Sequence, residues 1–527
     1  MARTPLLRSI RKLVRDAKLQ KQTGAPVDEL REIAAGMSRR RFLGGVAAGA
    51  GVLALPKIAH AKSQPNIVIV GGGIAGLSCA LGLRDKGYGA TVYEASGRIG
   101  GRMFSNTNYW AAGQVSEWCG ELIDTGHHTI RNLCSRYSLQ TDDLHAAEPN
   151  GSTETYYFGG SYYTYAQAVA DFQDIQDIVA ADVKDASYPT LYNSYTPGGL
   201  ELDQMSVYDW IETRVPGGHR SQLGQLLDVA YAIEYGGDTT QQSSLNLLYL
   251  LGYQPSSNLA LFGRSDERFH IRGGNNRLPQ AIAADLGSSV VTGHSLVKLA
   301  QTSGGRYTCT FQRATGTVDV TADYVVLALP FAVLANVDTS AAGFDSLKQT
   351  AISELGRGHN GKLQLQFDSR AWLNTPLNSN GTSYSDTGYQ NTWDVSRAQP
   401  GTPGILVLYS GGTVTDGMKT TSPFATASDS KVLQDAQRGL AQLSPVYPGL
   451  AWNGKATQSL PHKSPYFGAS YSYWKVGQYT KFAGYEGAPQ GNVYFCGEHT
   501  SIDYQGYMEG GAFTGSAVAA TLAQKLK

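Results

Sequence analysis

Cysteine is scarce in this chain of 527 residues. Its five thiols, Cys79, Cys119, Cys134, Cys309 and Cys496, are scattered, odd in number and never spaced as Cys-x-x-Cys. That spacing excludes a readable disulfide framework and the common thiolate metal sites. An excess of either charge is also missing, with 43 Lys plus Arg against 43 Asp plus Glu, so no overall field draws the chain to nucleic acid or an anionic membrane. No apolar run reaches the roughly 20 residues of a membrane-spanning helix. Internal repeats, a low-complexity tail and a Ser-His-Asp order are absent, and the adjacent His127 and His128 cannot both face one ion from a regular element. The 62 glycines lack a period, which excludes a collagen-like chain and implies many tight turns instead. What is present is 42% apolar residues in a chain this long, enough for a large core and two or three domains.

The beginning of the chain reads as a targeting segment. Ser38-Arg39-Arg40-Arg41-Phe42-Leu43 precedes a small, apolar run over 44–55 and then Ala59-His60-Ala61, the pattern of a twin-arginine signal with its cleavage site. A periplasmic or secreted location is therefore expected, and export of an already folded protein fits the scarcity of cysteine. Upstream, Leu6, Leu7, Ile10, Leu13, Val14 and Ala17 recur at helical spacing among basic residues. That segment reads as a long basic n-region, with a surface-binding amphipathic helix as the alternative.

Asn66-Ile67-Val68-Ile69-Val70 is a continuous, β-branched run suited to a buried parallel strand, and it leads directly into Gly71-Gly72-Gly73-Ile74-Ala75-Gly76. A helix is expected through Leu77, Ala80, Leu81 and Leu83, ending near Gly87, followed by a second strand over 90–93 that delivers Glu94. The physical logic is that of a dinucleotide site. Glycines let the backbone approach a pyrophosphate, the helix N-terminus supplies positive potential, and the carboxylate accepts ribose hydroxyls.

The motif continues as Glu94-Ala95-Ser96-Gly97-Arg98-Ile99-Gly100-Gly101-Arg102, and far downstream Phe495-Cys496-Gly497-Glu498 is followed by Gly506-Tyr507-Met508-Glu509-Gly510-Gly511 and a small-residue helix over 512–526. Over about residues 65 to 527 the chain resembles the flavin amine oxidase family. The resemblance implies an α/β fold, with a Rossmann-like FAD-binding domain of the glutathione-reductase and amine-oxidase type and an interleaved α+β substrate domain. It implies FAD contacts at Gly71, Gly73, Ile74, Ala75, Gly76, Glu94, Ala95, Arg98, Gly101, Arg102, Glu498, Gly506, Tyr507 and Met508, with Leu296 or Val297 beside the adenine. The expected domain segments are a signal region 1–61, FAD-binding parts 62–150, 271–340 and 456–527, and substrate-domain parts 151–270 and 341–455.

At the reacting centre the resemblance assigns Lys362 the holding of a water beside flavin N5 and Tyr507 one wall of an aromatic cage. Lys362 opens an alternating stretch, Leu363, Leu365 and Phe367 against Gln364, Gln366 and Asp368, which reads as a strand with one buried face. Where relatives carry a flavin-bonding cysteine and a second cage tyrosine, this chain reads Ala469-Ser470, so non-covalent FAD is expected. The second wall is left to Trp474, Tyr471, Trp393 or none. Arg397 is a candidate cation for a substrate carboxylate, and Glu121 and Glu234 are candidate acids for a polyamine. The expectation is oxidative deamination of an L-amino acid or primary amine by oxygen, giving imine and hydrogen peroxide, and it leans to the L-amino acid because the acids are too few and scattered for a polycation channel. A polyamine oxidase, a carotenoid-type desaturase or isomerase, and a non-catalytic flavoprotein remain the alternatives. A small-molecule substrate and oxygen are the expected partners, a homodimer being left open.

Overall fold

The β-branched run Ile67–Val70 forms the middle of a five-stranded, all-parallel sheet in a computed structural model that describes residues 65–252, 266–374 and 378–527. In spatial order its strands are Val493–Phe495, Tyr324–Leu327, Ile67–Val70, Thr91–Tyr93 and Val290–Val291. The unbroken apolar character of the central strand follows from burial on both faces. Ile67 and Ile69 pack with the helices Ile74–Arg84, Arg277–Leu286 and Met508–Lys525. Val68 and Val70 pack with Leu299, Cys309 and Phe311 of a four-stranded sheet on the other side.

The C-terminal helix spans Met508–Lys525 and so starts four residues before the expected 512. Gly510 and Gly511 are helical as well, and the helix crosses Ile74–Arg84 at backbone contact. A Cβ on Gly515 would stand 2.1 Å from the carbonyl oxygen of Ala75, and one on Gly511 3.0 Å from the side chain of Ile74. Small residues thus set how closely the two helices approach.

The second sheet has eight strands, in the order Phe424–Thr426, Trp452–Ser459, Asn360–Phe367, Gly404–Gly411, Asn391–Asp394, Ser379–Ser385, Thr153–Phe158 and Ser161–Tyr162. Leu363, Leu365 and Phe367 meet Val432 and Ala436 of the helix Ser430–Leu443. The opposite, polar face of that strand is buried as well, contrary to the half-solvated strand expected. Gln364 donates to the Glu117 carbonyl at 2.9 Å, and Gln366 donates to Gln114 at 2.9 Å. A strand that must touch the FAD-side segment 111–121 satisfies it with amides rather than with water. Three expected domain boundaries, 270/271, 340/341 and 455/456, fall inside the strands Phe269–Ile271, Asp338–Ala341 and Trp452–Ser459.

All five cysteines are free thiols. No helix among the described residues is long and apolar enough to cross a membrane. The expected export signal and the amphipathic segment before it lie outside the described residues.

Candidate active site

Three glycines of the turn after Ile67–Val70 are needed for three different reasons. Gly71 has φ +111°, and a Cβ there would meet the Ala328 carbonyl at 2.8 Å. Gly76 supports the turn from below, where a Cβ would stand 2.0 Å from the Gly71 carbonyl oxygen. At Gly73 a Cβ would find only the Cα of Gly101, 3.9 Å away. The space saved at Gly73 therefore belongs to the adjoining cavity rather than to the protein's own packing. The helix Ile74–Arg84 has no side-chain cap at Gly73, so its first N–H groups present positive potential to that cavity. At the strand tip, Glu94 accepts from the Gly72 N–H at 2.8 Å and from both the N–H and hydroxyl of Ser96.

The far end of the chain reaches the same place. Glu498 accepts from the Arg102 guanidinium at 3.0 Å, from the Ser472 hydroxyl at 2.9 Å and from the Gly506 N–H at 2.9 Å. Next to it the C-terminal helix begins after Tyr507, again without a side-chain cap.

These parts line one cavity of about 1790 Å³, counted with its open mouth. Its wall contains Gly71, Gly73, Ile74, Ala75, Glu94, Ala95, Gly101, Arg102, Leu296, Glu498, Gly506, Tyr507 and Met508 from the expected cofactor set. Lys362, Glu121 and Trp393 complete it from the expected reacting set. Six expected residues are elsewhere. Gly76 lies beneath the turn. Arg98 donates to the Gly101 carbonyl at 2.7 Å and lies over the Phe104 ring, bracing the loop from outside the wall. Val297 is 38% exposed, because successive side chains of the strand Ser295–Gln301 point to opposite faces and Leu296 takes the inward one. Arg397 is buried away from the cavity on Glu148 at 2.6 Å and the Asp394 carbonyl at 3.0 Å. Trp474 packs on Tyr479 and Phe482 in the core. Glu234 is fully buried and also outside the wall.

At the second set of residues Lys362 dominates the geometry. Its ammonium donates to Glu121 Oε2 at 2.6 Å and to the Cys119 carbonyl at 2.8 Å, and it lies 5.6 Å from the centre of the Trp393 ring. Trp393 Nε1 donates to the other Glu121 oxygen at 2.9 Å. Burial alone would raise the Glu121 carboxyl, but the charge and hydrogen bond of Lys362, with help from Trp393, hold it below its usual range. Tyr409, which is paired with Lys362 across the sheet, and Tyr471 join hydroxyl to hydroxyl at 3.0 Å and form further aromatic wall with Trp393 and Tyr507. Behind Tyr507 stands His127, ring centres 5.0 Å apart, with its pKa pushed down by burial to about 4. His499 also lines the cavity with its pKa pushed down by burial to about 4, and neither ring nitrogen has a hydrogen-bond partner among the described residues.

Sequence reasoning missed Tyr409, the Cys119 carbonyl and the place of His499. Tyr409 carries no motif of its own, and only the pairing of Gly404–Gly411 with the strand of Lys362 brings it to the wall. The residues fit FAD: an open position at Gly73, two uncapped helix ends and the unpartnered His499 nitrogens face one cavity.

Comparison with known proteins agrees with that geometry. The profile of a family described as flavin containing amine oxidoreductase matches residues 74–523. An L-amino acid dehydrogenase of Synechocystis is 25% identical, the match covering 87% of this chain and 94% of that protein. Polyamine oxidase 5 of Oryza sativa is 23% identical, with 87% of each covered. Among solved structures, cyclohexylamine oxidase from Brevibacterium oxydans superposes with a TM-score of 0.73 at 18% identity, covering 88% of this chain and 99% of that one.

Proposed function

This chain belongs to the flavin-containing amine oxidoreductase family, and on that premise we propose that it oxidises a primary amine with an apolar or aromatic body, using oxygen as electron acceptor. FAD is its cofactor, and when bound it accepts the hydride equivalent from the carbon that bears the nitrogen.

One observation carries the choice of amine. Among the described wall residues the two strong cations are already matched, Lys362 with Glu121 and Arg102 with Glu498. Arg397, the cation anticipated for a substrate carboxylate, is spent on Glu148. Burying an α-carboxylate without a counter-ion costs several kcal/mol, at least about 3. Trp393, Tyr409, Tyr471 and Tyr507 offer instead a dry aromatic enclosure that orients an uncharged amine. Lys362 spends two of its three N–H donors on Glu121 and Cys119, leaving one for the water that the family resemblance assigns to it. Cys119 is the described cysteine in the wall, and burial raises its thiol to about 11, which supports FAD held without a covalent bond. The Lys362–Glu121 ion pair in the wall speaks against the greasy tunnel of a carotenoid desaturase. Export through the twin-arginine route is supported by residues 38–43.

A second reading, oxidation of an L-amino acid, is favoured by the name of the Synechocystis relative. Matched pairs separate the two. Tyramine should bleach the flavin anaerobically at least about tenfold more efficiently than L-tyrosine, an interval of about 1.4 kcal/mol. The reverse order overturns the amine reading. Peroxide formed in step with amine consumed tests oxygen as the acceptor, and reoxidation by a quinone alone would replace it.

A further inference from the structure

Three segments meet at one end of the eight-stranded sheet, just behind the cavity wall, which Asn360 and Pro461 line. His359 lies just before the strand Asn360–Phe367, Asp416 ends the short helix Gly412–Asp416, and His462 sits in the turn Pro461–Lys463. His359 Nδ1 is 2.8 Å from Asp416 Oδ1, and His462 Nε2 approaches the same oxygen at 3.9 Å. The two imidazole rings are stacked, centres 4.4 Å apart and 15° from parallel. The buried His462 Nδ1 has no hydrogen-bond partner among the described residues.

We propose that His359, Asp416 and His462 form a binding site for a divalent transition metal of the zinc class, a property separate from the amine chemistry. Two imidazoles and a carboxylate are the donors such ions prefer. One ligand atom from each residue falls within 4.8 Å of the other two. An ion about 2.0–2.2 Å from each donor needs ligand separations of about 3–4 Å; both separations from Asp416 Oδ1 are already near that range, and turning the part-exposed His359 ring out of its stack on His462 would bring the two imidazole nitrogens onto one ion. The backbone is already placed for it. The His359 N–H donates to the Gly236 carbonyl at 2.7 Å, its carbonyl accepts from the Gly412 N–H at 3.0 Å, and Lys463 Nζ donates to the Met418 carbonyl at 3.0 Å. Three protein ligands leave one position for water, so the bound ion remains exchangeable. It would join the starting end of the strand that carries Lys362 to the segments that follow its two neighbours in the sheet.

The test is a calorimetric titration of zinc into chelator-treated, full-length holoprotein that carries no histidine tag. One equivalent should bind, with at least tenfold weaker affinity in Asp416→Asn and in His462→Gln. Zinc should raise the Tm of the parent protein and leave that of Asp416→Asn unmoved. Equal metal-free Tm values for Asp416→Asn and the parent protein show that the fold is intact. Zinc bound with undiminished affinity by the Asp416→Asn/His462→Gln double variant, or no binding by the parent protein at millimolar zinc, overturns the proposal.

Discussion

The Lys362 ammonium lies 2.6 Å from Glu121 Oε2, and both side chains are buried in the cavity wall. The pair joins the eight-stranded sheet to the FAD-side segment, so the lysine is fixed by a residue from the other half of the molecule. Breaking such a pair from one side leaves an uncompensated charge, whereas removing both charges does not.

Lys362→Met should therefore cost about 3 kcal/mol of stability, and Lys362→Met/Glu121→Gln should recover most of it. Denaturant midpoints measured on both variants check the sign. FAD should remain bound while stopped-flow reduction or reoxidation slows by about 10²-fold. Unaltered kinetics would remove the lysine from the chemistry.

Gly73 and Gly515 give opposite outcomes for the same change. Gly73→Ala should leave the Tm of the FAD-free protein unchanged and weaken FAD by about tenfold or more, because the added methyl occupies only cavity space. Gly515→Ala should lower stability by about 1–3 kcal/mol, since the methyl collides with the Ala75 carbonyl. Flavin fluorescence and thermal melts separate the two effects.

Stability should fall as the solution is acidified from pH 6.5 towards 4. His127 and His499 are neutral in the folded protein down to about 4, while the unfolded chain takes up protons near 6.5. Between those values the unfolded state binds more protons, so stability rises with pH and is complete above 6.5. Melting curves across that range should show it, and His499→Phe, which keeps the packing against Phe331, should flatten the slope.

Removing an aromatic wall should act on substrate more than on fold. Tyr507→Ala should raise KM or lower kcat for an aromatic amine by about tenfold while the protein stays yellow. Loss of flavin instead would assign Tyr507 to cofactor retention alone.

The nucleotide-binding turn was legible because strand, glycines, helix and acid follow one another within a few turns of chain. The C-terminal approach was legible for the same reason, Glu498 and Gly506 being close in sequence. What escaped depends on register and distant pairing. Which face of one strand turns inward decides between Leu296 and Val297, and only the alignment of two strands places Tyr409 beside Lys362. Arg397 and Trp474 have the right chemistry for a substrate pocket, yet Glu148, far away in sequence, and Tyr479, close by, claim them. His359, Asp416 and His462 show no motif spacing, because it is the ends of neighbouring strands that gather them.

The cavity wall takes Gly73 from near the start of the described chain and Met508 from near its end. A nascent chain emerging from the ribosome therefore has no pocket to offer until its final helix is free to dock. Cofactor capture is in consequence one of the last events in this protein's maturation, and shortened translation products should be colourless.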